Sequence, residues 1–407
     1  MRQILLLTYT FPPDNTPAAV RPKQLCDYLP VHGYQPIVVA SSFEGARYEL
    51  EFVHRVPVGD EPLGVVFTSK LARAFMRLCA PYNDRLPWAP FAASAAAQLI
   101  RSRKIEAVVS TSPFLASHLA ALWLKRKFGL PWVADFQDPV IDNPMRDRRW
   151  LYPYDALVEG AIFRGADRLT ANTDTVASAW RRRYPRLASK VSVLWNSFDP
   201  EEKIPTGFVA SRSHRVLSHV GALYGQRHPG QILSALERLG VGASMIRIKL
   251  IGPIQSSILA EYSELIERLC KRGQLEVDGQ LVDRKTAMLE TAQADYLLLL
   301  DINAKNASFQ VPSKLLDYIR YGKPILAYTP KVSPVERILA RSGVSYSTID
   351  PNEPYVESDQ KILEFFAAPY RQAAPSSWFN ESLSARTLAK TLADLLNELT
   401  LGEAQSS

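Results

Sequence analysis

One segment in the second half of the chain has the composition of an anion-binding site. Pro312 suits the first turn of a helix, and the backbone N–H groups of Ser313 and Lys314 would then point at a ligand phosphate. The positive end of the helix dipole would reinforce them. Asp317 follows one helical turn after Ser313, close enough to accept hydrogen bonds from ribose hydroxyls. The spacing predicts a phosphate and ribose site, with a solvated amphipathic helix as the alternative.

Several common catalytic motifs do not occur in the sequence. The lack of Gly-x-Gly-x-x-Gly after the first predicted strand, and of Gly-x4-Gly-Lys-Ser/Thr anywhere, argues against a Rossmann dehydrogenase and a P-loop NTPase. The lack of Gly-x-Ser-x-Gly argues against an α/β-hydrolase. The six histidines show no metal-ligand spacing, and no Asp-x-Asp occurs. We therefore expect a site with no metal and no cofactor.

Apolar strands alternate with amphipathic helices along the chain, which predicts βαβ units and parallel sheets. The predicted strands are 4–8, 37–40, 107–110, 132–135, 168–171 and 191–194, and then 216–220, 246–251, 276–277, 296–300 and 324–327. The polar stretch 196–214 has the composition of a linker. We predict an α/β protein with two Rossmann-like, doubly wound domains, 1–200 and 201–375, that face a central cleft.

The composition is that of an ordinary globular protein. Of the 407 residues, 47% are hydrophobic and 22% are charged, which excludes wholesale disorder. No run of 18 apolar residues occurs, and the apolar start predicts a buried strand, not a signal peptide. Three scattered cysteines are too few for a disulfide framework or a zinc site. We expect a cytoplasmic protein.

The net charge of +7 lies entirely in the first half of the chain. Residues 1–200 contain 25 Lys and Arg against 18 Asp and Glu, whereas residues 201–407 contain 23 of each. Solvated helix ends explain any one basic cluster, but together the clusters indicate an anionic partner. No helix-turn-helix, zinc-finger or RNP signature supports nucleic acid. An anionic membrane surface and a phosphate-linked substrate fit equally well.

The segment around Lys314 resembles the nucleotide-sugar site of GT-B glycosyltransferases, in particular family 4. Residues 311–318 and 321–326 resemble a pattern of that family, Pro-Ser-Lys-Leu-x-Glu/Asp-Tyr followed by Gly-x-Pro-Ile. Asp317 matches the second glutamate of the Glu-x7-Glu motif of the family. Phe309 stands where the first glutamate would be.

A second loop, residues 219–228, resembles the Gly-Arg-Leu-x3-Lys-Gly loop of the same family. Arg227 takes the lysine position, where a cation meets the donor diphosphate, and Ala222 stands where the arginine would be. An arginine can hold a diphosphate with a bidentate grip. A surface-loop arginine is the alternative.

The first half of the chain carries further motifs of this family in the family order. They resemble its first loop, its Ser-Pro-Pro-x4-His and Asp-Phe-Arg-Asp-Pro motifs, and its Pro-Asn-Gly-Phe-Asp hinge. The matching ranges are 8–14 with 19–22, 112–118, 134–139 and 195–199. Gln137 replaces the arginine of the Asp-Phe-Arg-Asp-Pro motif.

The resemblance implies transfer of a sugar from a nucleotide donor, expected to be a UDP-sugar, to a glycan or lipid-linked acceptor, with retention and without a metal. The residues expected to bind the donor are Gly221, Arg227, Pro312, Ser313, Lys314, Leu315 and Asp317. The expected catalytic residues are His118, Asp138, Arg227 and Lys314. The expected acceptor-side residues are Pro13, Asp14 and Arg21.

The resemblance also implies roles for these catalytic residues. His118 would contact the donor sugar, with a buried core histidine as the alternative. Asp138 would be an acceptor-side carboxylate or a helix cap. The departing diphosphate would help to deprotonate the acceptor hydroxyl, while Arg227 and Lys314 stabilise its charge.

The basic first domain is expected to bind the acceptor and to make peripheral contact with the inner membrane surface. Acceptor-side helices would be expected around Arg73, Arg77, Arg85 and Trp88. The last segment, 376–407, would cross back to the first domain through an amphipathic helix at 382–399, with Trp378 and Phe379 at the crossing and a frayed tail.

Two other functions stay open at this point. A sugar-nucleotide epimerase of the same fold would need additional carboxylates in the cleft for acid–base chemistry. A non-catalytic GT-B partner subunit would account for the departures at Phe309 and Ala222. Nucleotide binding without turnover would identify the partner subunit.

Overall fold

A computed structural model describes residues 1–14, 16–42, 52–57, 85–143, 149–205, 214–225, 227–240, 245–302 and 309–402. Two of the residues singled out above, Arg73 and Arg77, lie outside these ranges. The chain divides into two compact units, Met1–Asp199 with Ser384–Ser407, and Pro200–Leu383. Each unit carries one parallel sheet, which confirms the predicted α/β class with two doubly wound domains.

The first unit contains a seven-stranded sheet in the order β3-β2-β1-β4-β5-β6-β7. Its strands are β1 (Arg2–Thr8), β2 (Tyr34–Ser41), β3 (Val53–Val56), β4 (Ile105–Thr111), β5 (Trp132–Phe136), β6 (Arg168–Ala171) and β7 (Val191–Val193). Its helices before residue 200 are α1 (Pro17–Tyr28), α2 (Trp88–Ser102), α3 (Leu115–Phe128), α4 (Tyr152–Gly165) and α5 (Asp174–Arg183), with 3₁₀ turns at Leu29–His32, Arg149–Leu151 and Pro185–Lys190.

Both faces of this sheet are covered. Ile4 and Leu6 point to one face of β1 and Leu5 and Leu7 to the other, and all four are fully buried. Successive apolar residues are therefore required, as the sequence of the strand indicated.

The second unit contains a six-stranded sheet in the order β10-β9-β8-β11-β12-β13. Its strands are β8 (Arg215–Val220), β9 (Ile246–Ile251), β10 (Leu275–Asp278), β11 (Tyr296–Leu300), β12 (Ile325–Tyr328) and β13 (Tyr346–Ile349). Its helices are α6 (Gly230–Leu239), α7 (Ser256–Glu261), α8 (Ser263–Lys271), α9 (Arg284–Gln293), α10 (Ser313–Arg320), α11 (Pro334–Ser342), α12 (Tyr355–Ala367) and α13 (Ser377–Ser382).

The sequence did not reveal two edge strands. Both β3 and β13 have four residues, and β13 begins with an exposed Tyr346 followed by half-buried Ser347 and Thr348, so neither strand forms an apolar run. The helical segment at 256–271 is divided into α7 and α8, because Tyr262 between them does not have helical backbone angles.

The last helix, α14 (Ala385–Gly402), completes the core of the first unit. Leu388, Leu392 and Leu396 pack in one cluster with Ile4 and Leu25. The change of unit falls at residue 384 and not at 376.

Residues just before that point belong to the second unit. The Arg341 guanidinium lies 3.9 Å from the centre of the Trp378 ring, which fixes this tryptophan on α11. Phe379 is fully buried on α13. Among the residues that the structure describes, no helix is long and apolar enough to cross a membrane.

We expect Leu392→Ala to destabilise the first unit by about 2–5 kcal/mol, because it opens a cavity in a fully buried cluster. Six of the seven tryptophans lie in this unit, so urea unfolding followed by tryptophan fluorescence would report the loss. Lys390→Ala, which removes an exposed ion pair on the same helix, is the matched control and should change stability by less than about 0.5 kcal/mol. Equal effects of the two variants would contradict the packing described for α14.

Candidate functional site

The polar and charged side chains of the candidate site lie in the second unit, at the point where the strand order of its sheet reverses. In the sheet, β8 and β11 are neighbours but their flanking strands run to opposite sides, which is the place where doubly wound sheets bind ligands. His219 is the penultimate residue of β8, Gly221 follows the strand, and Asp301 follows β11. The first turn of α10 brings Lys314 to the same edge, where its Nζ atom lies 3.0 Å from His219 Nε2.

The loop after β8 needs a glycine at this point. Gly221 has φ +132°, a backbone conformation that side-chain-bearing residues rarely adopt. A Cβ atom placed on it would lie 2.5 Å from Lys314 Nζ. The absent side chain therefore makes the room that the Lys314 ammonium occupies.

Two cations lie close together here. Arg227 is 8% exposed and its guanidinium stacks 5.5 Å from the centre of the Tyr224 ring. Burial, and then the positive charge of Arg227, lower the pKa of Lys314 to about 7. Across the described ranges, no carboxylate lies within ion-pair distance of either cation. The Arg227 Nε atom is buried and has no partner among the same residues.

Asp301 is a buried carboxylate that the sequence did not single out. Its two oxygens accept hydrogen bonds from the Ile302 N–H at 2.8 Å and from the Thr329 hydroxyl at 2.9 Å. Burial raises its pKa to about 6, although these hydrogen bonds and Arg227 act in the opposite direction. Asp301 therefore ties the loop after β11 to the loop after β12, where Ser333 Oγ also lies 2.9 Å from Thr329 Oγ1.

Asp317 lies on α10 one turn after Ser313, as predicted, but its carboxylate already has partners. Its oxygens accept hydrogen bonds from Arg284 at 3.2 and 3.3 Å. Arg284 also grips Glu202 with two hydrogen bonds of 2.6 Å, and Arg320 donates to the same Glu202 at 2.9 Å. A ligand hydroxyl at Asp317 would share the carboxylate with Arg284.

The remaining residues of the predicted donor segment divide into two groups. The N–H groups of Ser313 and Lys314 belong to the first turn of α10, which has no intrahelical acceptor for them. The Leu315 N–H bonds to Pro312 O at 3.0 Å, and the Leu315 side chain is fully buried. Leu315 therefore anchors the helix to the core.

The Gly-Lys-Pro-Ile part of the same motif has a structural explanation. Gly322 has φ +65°, and a Cβ there would lie 2.2 Å from the Ala373 carbonyl oxygen. The buried Lys323 ammonium donates to the carbonyl oxygens of Thr291, Ala292 and Ala294, at the end of α9. This lysine is a helix cap and not a ligand contact.

At the corresponding edge of the sheet in the first unit, Arg21 and Asp135 form a buried ion pair. Arg21 Nη1 lies 2.7 Å from Asp135 Oδ1, and the hydroxyls of Thr111 and Thr170 donate to the same carboxylate at 2.7 Å. Arg21 also donates to Leu194 O at 3.0 Å. With 3% exposure, Arg21 holds α1 to the sheet and does not offer its charge to an acceptor.

His118 lies inside the first unit, fully buried against the Phe136 ring at 4.2 Å. The Trp132 indole N–H donates to Ser110 Oγ at 2.8 Å, and the same hydroxyl shares a hydrogen bond of 2.8 Å with His118 Nδ1. The His118 Nε2 atom is buried and has no partner among the described residues. Burial lowers the pKa of His118 to about 3, so the ring stays neutral at physiological pH.

The loops of the predicted acceptor side are held by neighbouring side chains. Arg55 donates to the backbone carbonyls of Pro12 and Ser41 and fixes the loop that contains Pro13. Asp14, at the end of this loop, accepts a hydrogen bond from the Thr16 N–H at 2.8 Å.

Asp138 is half-buried in the turn after β5. Three residues after Asp138, the Ile141 N–H donates a hydrogen bond at 3.0 Å to the fully buried Glu159, which also accepts one from the Tyr184 hydroxyl at 3.1 Å. These bonds fix the end of the loop that carries Asp138.

The other residues suggested for acceptor binding lie in different environments. Trp88 is fully buried, so it belongs to the core. Arg85 is exposed and lies over the rings of Tyr9 and Phe114, at 5.3 and 5.7 Å from their centres. Tyr9 and Phe114 follow β1 and β4, and this aromatic and cationic cluster escaped the sequence analysis because its members are 76 and 29 residues apart in the chain.

No group of three His, Cys, Asp or Glu side chains suited to a metal ion occurs within the described part of the chain. The described residues around Lys314 are instead cations, an imidazole, backbone N–H groups and the tied carboxylate of Asp301. Such a set suits a ligand that carries its own negative charge.

Residues 18–202 match the model of Glycosyltransferase Family 4. No sequence among the curated proteins matches the chain.

Solved structures share the fold over nearly the whole chain. HepE of Anabaena, in complex with UDP-glucose, is 14% identical, has a TM-score of 0.61 and is aligned over 98% of this chain and 100% of its own. The lipopolysaccharide outer core galactosyltransferase WaaB is 13% identical, with a TM-score of 0.63 and coverage of 99% and 100%. UDP-GlcNAc 2-epimerase of Methanocaldococcus jannaschii is 9% identical, with a TM-score of 0.55 and coverage of 97% and 98%.

The epimerase shows that the fold alone does not fix the reaction. The match to the family model covers residues 18–202, which contain the motifs at 112–118 and 134–139. The fold over nearly the whole chain is that of GT-B structures such as HepE and WaaB, and residues 18–202 match the model of Glycosyltransferase Family 4.

Proposed function

We propose that this protein transfers a sugar from a nucleotide-sugar donor, with a UDP-sugar as the expected donor, to a glycan or lipid-linked acceptor in bacterial surface polysaccharide or glycoconjugate synthesis. The observation that carries the proposal is the pair of cations Arg227 and Lys314, which form no ion pair with any described carboxylate. A diphosphate would supply the missing counter-charge. The UDP-glucose in HepE and the lipopolysaccharide function of WaaB support this choice of substrates.

The chemistry follows from where charge develops. As the bond between the sugar and the diphosphate breaks, negative charge grows on the leaving phosphate oxygen, and Arg227, Lys314 and the first N–H groups of α10 would stabilise it. The acceptor hydroxyl forms the new bond on the same face of the sugar, and its proton passes to the departing diphosphate. Neither a protein nucleophile nor a metal ion is required by this scheme.

The role proposed for His118 is limited by its environment. With a pKa near 3 it does not accept or deliver a proton at neutral pH. Its Nε2 atom is buried without a partner among the described residues, and a hydroxyl of the donor sugar is the proposed hydrogen-bond partner.

The acceptor is proposed to bind the first unit. Asp138 and the cluster of Arg85, Tyr9 and Phe114 follow strands β5, β1 and β4, and aromatic rings offer flat faces to sugar rings. Arg21, which the motif comparison placed on the acceptor side, is committed to Asp135 and does not contribute. The positive charge of residues 1–200 fits a phosphate-linked lipid acceptor, or contact with an anionic membrane surface.

The transfer reaction is tested with radiolabelled UDP-, GDP- and dTDP-sugars and lipid-linked acceptors, in excess EDTA. We expect release of the nucleoside diphosphate together with a labelled acceptor. Arg227→Ala and Lys314→Ala should each lower kcat/KM by roughly ten- to a hundred-fold, since a hydrogen bond to a charged group contributes about 1.5–3 kcal/mol. Lys271→Ala, which removes an exposed charge on α8, should leave the rate unchanged.

Three outcomes would contradict the proposal. A new epimer of the donor without any acceptor would identify an epimerase. Nucleotide binding with no turnover on any acceptor would identify a partner subunit. Complete loss of transfer in EDTA that Mg²⁺ or Mn²⁺ restores would show that the metal-free scheme is wrong.

Lys314 should also make nucleotide binding depend on pH. With a pKa near 7, most Lys314 side chains are neutral at pH 8, and a bound diphosphate would favour the charged form. Binding of UDP at pH 8 should therefore take up close to one proton, whereas near pH 6.5 much less should be taken up. Isothermal titration calorimetry in buffers of different ionisation enthalpy measures this number.

Lys314→Met, which has a similar length and no charge, is the matched control and should abolish the uptake. Binding enthalpies that are the same in every buffer at pH 8 would show that Lys314 does not meet the diphosphate.

A further inference from the structure

His219 is a buried polar residue that the proposed reaction does not use. It lies on β8, is fully buried, and its neighbours in the strand, Ser218 and Val220, are buried as well. An imidazole in such a place costs free energy unless both ring nitrogens have partners. Both have partners here.

The first partner fixes the ring. His219 Nδ1 lies 3.0 Å from the carbonyl oxygen of Leu298 on the neighbouring strand β11. The backbone pairing of these strands ends one residue earlier, at Ser218 and Leu297, so the imidazole takes a carbonyl that the sheet leaves available. A carbonyl only accepts, and Nδ1 must therefore carry the hydrogen.

The second nitrogen consequently has a free lone pair, and that lone pair faces Lys314. Lys314 Nζ lies 3.0 Å away and donates to it. Burial, and then the charge of Lys314, hold the pKa of His219 well below its ordinary value, with Arg227 acting in the same direction and backbone hydrogen bonds to Leu298 and Gly221 opposing them. A second proton on the ring would place three cations together and remove the acceptor.

We propose that His219 is a positioning residue, which aims the Lys314 ammonium at the donor diphosphate through the Leu298–His219–Lys314 hydrogen-bond chain. The inference rests on the proposed function, because it assigns the target of Lys314 to the diphosphate.

The chemical type of the residue matters for this role. A carboxylate at position 219 would hold the ammonium equally well but would neutralise it. An apolar side chain would leave the ammonium without an acceptor and free to change rotamer. A neutral imidazole, locked by Leu298, orients Lys314 and preserves its charge for the ligand.

Two amide variants separate the two hydrogen bonds. The His219→Gln side chain places an acceptor near the position of Nε2 and keeps the contact with Lys314. The His219→Asn side chain mimics Nδ1, keeps the contact with Leu298 and leaves Lys314 without an acceptor. Each variant loses one hydrogen bond, so their thermal unfolding midpoints should be similar.

We expect His219→Asn to raise the Kd for UDP about tenfold, because Lys314 regains rotamer freedom, while His219→Gln stays within about threefold of the natural protein. UDP binding is measured by calorimetry in EDTA. If His219 were only a structural residue, affinity would follow thermal stability, and the two variants would bind alike. That result would overturn the proposal.

A double-mutant cycle with Lys314→Ala gives the second readout. Because His219 acts through Lys314, His219→Asn should cost less than about twofold in affinity when Lys314 is already alanine. Fully additive losses would also overturn the proposal. If Lys314→Ala itself leaves UDP affinity unchanged, the donor assignment fails, whereas a loss in Lys314→Ala without any loss in His219→Asn rejects the role of His219 alone.

Discussion

The proposed donor site depends on two cations that are partly removed from water and form no ion pair with a carboxylate among the described residues. Such an arrangement costs free energy, because burial penalises a charge that has no counter-charge. The chain limits the cost by giving Lys314 a neutral partner, His219, and by letting its pKa fall to about 7. The glycine at position 221 leaves the space that the ammonium needs. The uncompensated charge is the feature that a diphosphate would relieve, and the rest of the proposed mechanism follows from it.

The two sheets carry different charged side chains at the same topological position. In the first unit, Arg21 and Asp135 neutralise each other, and Thr111 and Thr170 complete the hydrogen bonds of the carboxylate. The charges at that edge are therefore paired with each other, and the ion pair supports the loops after β1, β4 and β5. In the second unit, Arg227 and Lys314 lie at the corresponding edge and form no ion pair with a described carboxylate. This contrast, and not the fold that the units share, favours the second unit as the site of the donor phosphates.

The sequence predicted the alternation of strands and helices because strands covered on both faces are continuously apolar, as in Leu5 and Leu6. It located Lys314 and Arg227, since their motifs are local in the chain. It could not show that Asp317 is shared with Arg284, or that Arg21 is held by Asp135, because these ion pairs join residues 33 and 114 positions apart. His219 and Asp301 were missed for a related reason, since buried polar residues in apolar strands acquire a role only from the neighbouring strand.

The central claim is that the two cations bind the diphosphate of the donor. Its most direct test compares the affinities of a nucleoside, its monophosphate and its diphosphate by calorimetry in EDTA, for the uridine, guanosine and thymidine series. The account predicts that, for the preferred base, affinity rises by about tenfold or more from the nucleoside to the diphosphate and that the gain shrinks as salt is added. Equal affinities of the nucleoside and its diphosphate would contradict it.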